Sequence, residues 1–491
     1  MRRSFRFAGS LTLSGLAGLV IFAGCPKPPL TPDKPRGAEI TFANTVYSCT
    51  TSTTDPQGQQ VAFQFDWGDG VRSEWSGWLA GGTPFADTHT YVQSGEVKIT
   101  VRAKNSRGKV SGWSEPLIVN VSPGEGNVLW RFGYYDPESP EDSADFTGHT
   151  FAIGPEGQIY IGSGDICALL CRKSNGSRRW EFIDPDEEEF SVAPVVGEDG
   201  TVYVGTEGGK FYALTASGTR KWEVTFRSGI IVPPALGADG TIFVQPEDDT
   251  VFALDPNNGA RKWGFYAGGG VQPPVVGADG TVYVSHDDTL FALDPTNGGI
   301  KWRYGMRQAI ATAPAVDVSR NVVYTVDDDG WLASVNLADG SENWQVWVAG
   351  DASSPVIDEN GRIYITGGGR LLALNPVNGG VEWEWVSPVP EEMTMPAVSS
   401  EGVVYLLVFS STVAGAVDTL YAVNHDGSRR WAVGLGVGTP LDFVSAPKID
   451  DRGFVYIGDG TRGWCVVGKG GPAASSWPMF QADIRNSGRA R

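Results

Sequence analysis

At 491 residues the chain is long enough for two or three folding units, and 57 acidic against 38 basic residues give it a formal net charge of −19. That balance disfavours nucleic acid and anionic lipid surfaces as partners, because a phosphate-rich surface is held by a basic face. An aromatic content of 11% with 65 glycines and 17 tryptophans excludes a disordered chain and fits an all-β repeat protein.

The first 24 residues read as an export signal and are set apart from the fold. Arg2, Arg3 and Arg6 precede an apolar stretch from Leu11 to Phe22, shorter than the roughly 20 residues of a membrane span. Phe22-Ala23-Gly24-Cys25 resembles a bacterial lipobox, which implies cleavage before Cys25 and lipid on its thiol. Phe22 stands where leucine is usual. Arg2-Arg3-Ser4-Phe5 has a faint likeness to a twin-arginine signal, so Sec and Tat export both stay open. Pro26, in place of the aspartate that retains lipoproteins at the inner membrane, points to the outer membrane or the cell surface. Without residues 1–24 the chain keeps 35 basic and 57 acidic residues, a net charge of −22.

Residues 25–36 hold Pro26, Pro28, Pro29, Pro32 and Pro35 and predict a stiff tether that lifts the protein off the membrane. Residues 37–122 then read as a small β-sandwich. Its strands include Val61-Ala62-Phe63-Gln64-Phe65-Asp66 and Val97 to Ala103, with Leu117 to Val121 closing it. The Phe65-Asp66-Trp67-Gly68-Asp69-Gly70 run and the later His89-Thr90-Tyr91 resemble PKD-type immunoglobulin-like modules. Asp55, Asp66 and Asp69 are candidate Ca²⁺ ligands, since hard cations gather carboxylate oxygens. The competing reading is that Asp66 and Asp69 shape the turn through side-chain-to-backbone bonds. Trp75, Trp78 and Trp113 are a candidate sugar-stacking surface, against which stands ordinary packing.

From residue 127 to the C-terminus one pattern returns eight times. Ala253-Leu254-Asp255-Pro256-Asn257-Asn258-Gly259-Ala260-Arg261-Lys262-Trp263 recurs as Ala292-Leu293-Asp294-Pro295-Thr296-Asn297-Gly298-Gly299-Ile300-Lys301-Trp302, and again from Ala373 to Trp383. From Trp180 the steps to Trp222, Trp263, Trp302, Trp344, Trp383 and Trp431 are 42, 41, 39, 42, 39 and 48 residues. A period near 40 with several short strands per unit predicts a β-propeller. Each unit opens on a short apolar strand such as Pro194-Val195-Val196. An Asx-Gly turn follows, for example Asp199-Gly200 or Asp279-Gly280, which suits a two-residue hairpin with both central residues at positive φ. Units start near His149, Ala193, Pro234, Pro274, Ala313, Ser354, Pro396 and Ala446. The expected fold is therefore all-β: an eight-bladed propeller preceded by a small immunoglobulin-like β-sandwich. Val128-Leu129-Trp130-Arg131-Phe132 is a fourth strand without its first three, and its place is in the last blade, although the Trp477 segment competes for that position.

The A-x-D-x-x-x-G-x-x-x-W motif resembles the tryptophan-docking repeat of pyrroloquinoline-quinone (PQQ)-type propellers, and Trp477-Pro478-Met479-Phe480-Gln481-Ala482-Asp483 resembles a segment that accompanies such repeats. The resemblance implies docking roles for Trp130, Trp180, Trp222, Trp263, Trp302, Trp344, Trp383 and Trp431. The family holds quinoprotein dehydrogenases and also non-catalytic envelope proteins, among them the lipoprotein of the outer-membrane β-barrel assembly machinery; fold alone does not choose between them. The enzymes clasp PQQ against an aromatic ring and often a vicinal disulfide, with Ca²⁺ and a basic residue at the quinone. This chain has no vicinal cysteine pair and is shorter. The expectation is a protein without a catalytic site or cofactor.

Cys49, Cys167, Cys171 and Cys465 remain beyond Cys25. Cys167 and Cys465 read as matching third-strand positions, and Cys171–Cys465 and Cys167–Cys171 bridges both stay open. Four scattered histidines, His89, His149, His286 and His425, offer neither zinc spacing nor a triad. Irregular insertions collect on the face of the second-to-third-strand and blade-to-blade loops: Tyr134 to Thr147, Asp184 to Phe190, Pro388 to Met395, and Phe409 to Asp418. Asp136, Glu138, Glu141, Asp142 and Asp145 load the first with carboxylates. Asp184, Asp186, Glu187, Glu188 and Glu189 load the second and mark a candidate partner-docking face, because long loops on a rigid scaffold carry function. The alternative is a solvated acidic fringe. The chain is thus expected to be a monomeric envelope lipoprotein that meets the membrane through its lipid and binds envelope or surface proteins.

Overall fold

The computed structural model describes residues 26–43, 46–133, 151–163, 166–388, 392–409, 417–437, 445–458, 462–483 and 485–490. The chain divides into two compact units, Met1–Gly124 and Glu125–Arg491. The export signal, Cys25, His149, the acidic Tyr134–Thr147 insertion and the centres of the Pro388–Met395 and Phe409–Asp418 insertions lie outside the described residues.

The first unit is a two-sheet sandwich. Its strands are β1 (Ile40–Phe42), β2 (Val46–Thr51), β3 (Val61–Asp66), β4 (Phe85–Thr90), β5 (Gly95–Asn105) and β6 (Leu117–Ser122). One sheet runs β1-β6-β5-β3 and the other pairs β2 with β4. Alternation along β2 and β5 turns Tyr47, Cys49, Val97, Ile99, Val101 and Ala103 inward, onto Phe63, Phe65 and Trp67.

The proline-rich segment departs from its expected role as a free tether. Pro29, Pro32 and Pro35 are buried, while the amides of Leu30, Asp33 and Arg36 donate to the carbonyls of Thr54, Ser52 and Thr50. That threefold alternation is the period of a polyproline II helix, whose free amides can pair with the flank of a strand. The prolines thus hold residues 27–36 against the sandwich.

The second unit repeats one four-stranded meander. In the third copy the strands are Ala235–Leu236, Ile242–Val244, Thr250–Leu254 and Arg261–Tyr266. The described residues form eight such sheets in chain order, at 152–183, 195–225, 235–266, 275–305, 315–347, 356–386, 392–437 and 448–467. The 392–437 sheet carries one extra short strand. In the last sheet Val128–Gly133 pairs with Arg462–Val467 and sets Trp130 opposite Cys465, so the Trp130 strand is the one that completes it. Second strands such as Ile159–Ser163 are buried along their whole length, because a sheet lies against each face. Outer strands such as Arg261–Tyr266 alternate with solvent.

Each element of the repeat motif has a physical reason. The Trp222 Nε1 donates to the Pro256 carbonyl at 2.8 Å, and its ring lies under Gly259. Asp255 caps the same turn by accepting the Asn257 amide, and Gly259 takes φ of +71°. The same bond joins Trp130 to Ser174, Trp180 to Ala216, Trp263 to Pro295, Trp302 to Leu337, Trp344 to Pro376 and Trp383 to His425. Trp431 lies on Gly126 without that bond, and its Nε1 has no partner among the described residues. All eight tryptophans therefore dock on the following sheet, Trp130 of the last sheet on the first. Behind each ring a tyrosine or phenylalanine of its own sheet packs with centroids 5.7–6.0 Å away.

The Asx-Gly hairpins differ from the two-residue form expected. Gly200 has φ of +78°, whereas Asp199 is not at positive φ. The loop closes through Gly200 to the Gly197 carbonyl and Gly197 to the Thr201 carbonyl, a three-residue hairpin with glycine at its left-handed position. Asp199 contributes its carboxylate, which accepts the Thr201 amide at 2.9 Å and the Thr201 hydroxyl at 2.7 Å.

A β-carbon at Gly298, φ +72°, would stand 2.8 Å from the Trp263 ring. Gly298→Ala is expected to cost about 2 kcal/mol or more, combining left-handed strain with displacement of the ring. Gly305→Ala, with nothing within 4 Å of the new carbon, is the neutral control. Denaturant unfolding of the two variants checks the contrast.

Candidate functional site

In the first unit the two motifs are each other's partners. Trp67 stacks on His89 at 5.1 Å, the Tyr91 hydroxyl donates to the Trp67 carbonyl at 3.0 Å, and His89 Nε2 lies 2.7 Å from Asp69. A β-carbon at Gly68 would meet the Lys98 backbone at 2.6 Å, so only glycine fits between. The candidate Ca²⁺ ligands are not brought together. Asp55 accepts the Gln57 amide and the Asn105 amide group, each at 2.8 Å. Asp66 pairs with Arg72 at 2.7 Å, and Asp69 accepts the Val71 amide. Among the described residues no three His, Cys, Asp or Glu side chains gather as a metal site. The turn-shaping reading is the one the geometry fits.

The tryptophans of this unit form a ladder with its cations. Arg102 lies 4.7 Å from the Trp113 ring centre and 5.4 Å from that of Trp75, and Lys104 lies 4.4 Å from Trp75 and 5.5 Å from Trp78. Arg72 lies over Trp113 at 5.3 Å. The segments carrying these tryptophans flank β3 and β5, with Ser73 bonded to Phe65 and Ser111 to Ala103, which sets the rings on either side of the β5 cations. These cation–ring contacts are the packing alternative to a sugar-stacking surface, while Trp78 stays 46% exposed.

In the second unit the acidic run 184–189 is not a uniform fringe. Asp184 is 1% exposed. It accepts the Asp186 amide at 2.8 Å, the Tyr212 hydroxyl at 2.5 Å and Lys210 Nζ at 2.9 Å. Lys210 also reaches Asp186 at 2.6 Å and Glu188 at 3.4 Å. Burial works against the Asp184 carboxylate, but its bonds from Tyr212 and Lys210 hold it below the ordinary aspartate range. Burial likewise opposes the Lys210 ammonium, and its bonds to Asp186 and Asp184 outweigh that and raise it. Asp184, Asp186 and Glu188 thus anchor the loop to Lys210, while Glu187 and Glu189 stay exposed. The sequence signal missed was a lone lysine at the start of an otherwise apolar strand, Lys210–Leu214, one repeat after the acidic linker.

The C-terminal segment crosses the inner ends of the sheets. The amides of Val196, Leu236, Val276, Ile357 and Val398 donate to the carbonyls of Arg485, Ser487, Gly488, Trp477 and Pro478. Asn486 Nδ2 bonds the Phe151 and Pro194 carbonyls. Lys448, wholly buried, donates to the carbonyls of Phe480 and Asp483, and burial pushes its ammonium down to about 7 although Asp483 pulls the other way. The Trp477 segment is therefore a plug over the inner strands and not a fourth strand.

On the opposite side of Phe480 lies a cavity of about 410 Å³. Ile231, Val232, Met393, Met395 and Phe409 are in its wall with Phe480 and the polar Gln272, Thr312, Ser354 and Thr394, and among the described residues no Lys, Arg, Asp or Glu lines it. That lining does not fit a tricarboxylate quinone, which asks for cations or a bridging metal.

All four described cysteines are free thiols. The matching third-strand positions are Cys171, opposite Trp180, and Cys465, opposite Trp130; Cys167 precedes its strand with φ of +49°. Burial pushes the Cys49 and Cys171 thiols up to about 12, so they are inert.

Lys210→Met leaves Asp184 buried without its cation, and the expected cost is about 3 kcal/mol near neutral pH. The contribution of a carboxylate with a lowered folded pKa is present above its unfolded value and lost as pH falls through the folded one. The deficit of the variant therefore shrinks as pH drops below about 4. Thermal unfolding of both proteins from pH 7 to pH 3 measures it.

The family described as "Outer membrane protein assembly factor BamB" matches residues 114–273, 266–418 and 328–471. A comparison with curated proteins finds no match. Among solved structures, BamB from Moraxella catarrhalis is similar over 70% of this chain and 99% of its own, at 17% identity and a TM-score of 0.56. The C-terminal WD40 domain of Sif2 covers 70% of this chain and 99% of its own, at 11% identity and TM-score 0.58. Quinohemoprotein alcohol dehydrogenase from Comamonas testosteroni covers 70% and 77%, at 14% identity and TM-score 0.51. These likenesses establish the β-propeller fold, which assembly factor, WD40 domain and dehydrogenase share. The matched stretches run together from residue 114 to 471, well over half of the chain, and the chain belongs to the BamB family.

Proposed function

We propose that this protein is a non-catalytic scaffold of the bacterial cell envelope, held at the outer membrane by lipid on Cys25, whose propeller docks other envelope proteins. The observation that carries the reading is the difference between the two faces of the propeller. One is occupied by the chain's own C-terminal segment; the other keeps a largely apolar cavity with no charged wall residue among the described residues, and exposed acids in the turns of neighbouring sheets. Catalysis needs placed acids, bases or cofactor ligands, whereas a rigid ring with an uncovered apolar pocket suits docking. Membership of the family described as an outer membrane protein assembly factor supports a role in assembling β-barrels or organising the surface. A front β-sandwich with its own core gives it a second folded surface.

Two measurements test this. Photo-crosslinking from Glu187 in cells is expected to trap envelope proteins, and none from Asn257 on the hairpin face. Purified protein given PQQ and Ca²⁺ is expected to show no quinone absorbance and no rise in melting temperature. Stoichiometric uptake with stabilisation would make it a quinoprotein and overturn the reading. Cys25→Ser is expected to move the protein from the membrane to the soluble periplasmic fraction; retention at the membrane would refute the lipid anchor.

A further inference from the structure

The cavity at the axis of the propeller and the acids around it describe one kind of occupant. Ile231, Val232, Met393, Met395 and Phe409 form an apolar wall above Phe480, enclosing about 410 Å³. That is within the roughly 300–1,000 Å³ of ligand pockets, room for a few large side chains and not for a folded element. Ile231 is 38% exposed. The Thr312 hydroxyl in the wall is buried without a hydrogen-bond partner among the described residues.

The turns between second and third strands of four consecutive sheets carry Glu207, Glu247, Asp249, Asp288, Asp328 and Asp329. In the same turns Asp327 is buried, Asp287 pairs with His286 and Asp248 accepts the Thr250 amide. Backbone bonds fix these turns to the linkers that lead into the wall. The Ile230 amide donates to the Thr206 carbonyl at 3.0 Å and the Glu247 amide to the Gly229 carbonyl at 2.9 Å, just before Ile231. The Asp328 amide donates to the Ala309 carbonyl at 2.9 Å and the Ile310 amide to the Asp287 carbonyl at 2.6 Å, just before Thr312. None of these six carboxylates takes part in an ion pair among the described residues, in contrast to Asp184, Asp186 and Glu188 with their shared lysine.

From this we infer that the axial cavity receives an apolar-tipped, cationic polypeptide segment of a partner protein, its large side chains in the Ile231–Met395–Phe409 pocket and its lysines or arginines on the arc from Glu207 to Asp329. The inference rests on the scaffold reading and names the chemistry of its partner. An arc spread over four sheets is too wide for one small cation and repels phosphate groups, so a polypeptide with several positive charges is the matching ligand. Burial of the apolar tip supplies affinity, and the arc supplies orientation and on-rate, both weakened by salt.

The probe is a fluorescein-labelled peptide with two lysines at each end and a Trp-Leu-Trp centre, titrated against the full chain by fluorescence anisotropy. Two controls replace the lysines with glutamates or the centre with serines. Binding by the probe alone, weakened at least tenfold by the Glu207→Gln/Glu247→Gln double variant and again by raised salt, is the expected result. Those two positions are exposed turn residues, so the folded state survives. Ile231→Ser tests the pocket itself, with its melting curve as the check on folding. Equal binding of probe and controls, or unchanged affinity in both variants, overturns the inference. Absence of peptide binding while cells still cross-link from Glu187 overturns it and leaves the scaffold reading standing. Absence of both removes both.

Discussion

A tryptophan laid flat on a glycine of the next sheet is the contact on which the propeller depends. Within a sheet, backbone bonds fix strand to strand, whereas side chains set the outer part of one sheet against the next. The indole does this twice over, through its face on a left-handed glycine and through its Nε1 to a carbonyl of the same turn, as with Trp222, Gly259 and Pro256. A β-carbon at the glycine removes the first contact, and a shift of the turn removes the second. The ring angle between sheets is thus set by a dipeptide turn and one aromatic residue, repeated. The last docking, Trp431 on Gly126, keeps the stack and lacks the bond, since the turn it meets belongs to the strand that enters from the other end of the repeat array.

Closure by an early strand has consequences for the faces. Because Val128–Gly133 completes the last sheet, the C-terminal segment is free to cross the inner strand ends and satisfy their amides. One face is thereby self-occupied. The other is left with a largely apolar pocket that includes Phe480, and with acidic turns whose backbones are bonded to the linkers leading into its wall. Acidic residues on the two sides of this face do different work. The 184–188 group is bound into the structure by Lys210, a cation in a nearly dry site, and sets the loop. In the second-to-third-strand turns Glu207, Glu247, Asp288, Asp328 and Asp329 are exposed and form no ion pair among the described residues, which is what a docking surface for a cation requires.

In the first unit the same economy holds. Motif residues that look like ligand donors in one dimension are hydrogen-bonding partners in three: Asp69 with His89, Asp55 with Asn105, Asp66 with Arg72. The exposed tryptophans are spoken for by Arg102 and Lys104. Each carboxylate or ring finds an internal counterpart because strands far apart in sequence bring it there.

The period of the tryptophans, the Asx-Gly turns and the apolar second strands were legible in the sequence, because they are local rules of turn chemistry and strand burial repeated at a fixed interval. So was the sandwich. Acids recurring at Glu207, Glu247, Asp288 and Asp328 were equally visible as repeats, yet their meaning was not, since it lies in which linkers they clamp. Whether Asp184 faces water or a buried lysine, whether the prolines stand free or lie along a strand, and whether Trp477 closes the ring or plugs it were decided by tertiary structure alone. Each depends on contacts between residues separated by 14 positions or more, and burial and charge pairing at such distances are properties of the assembled ring and sandwich, not of the local chain.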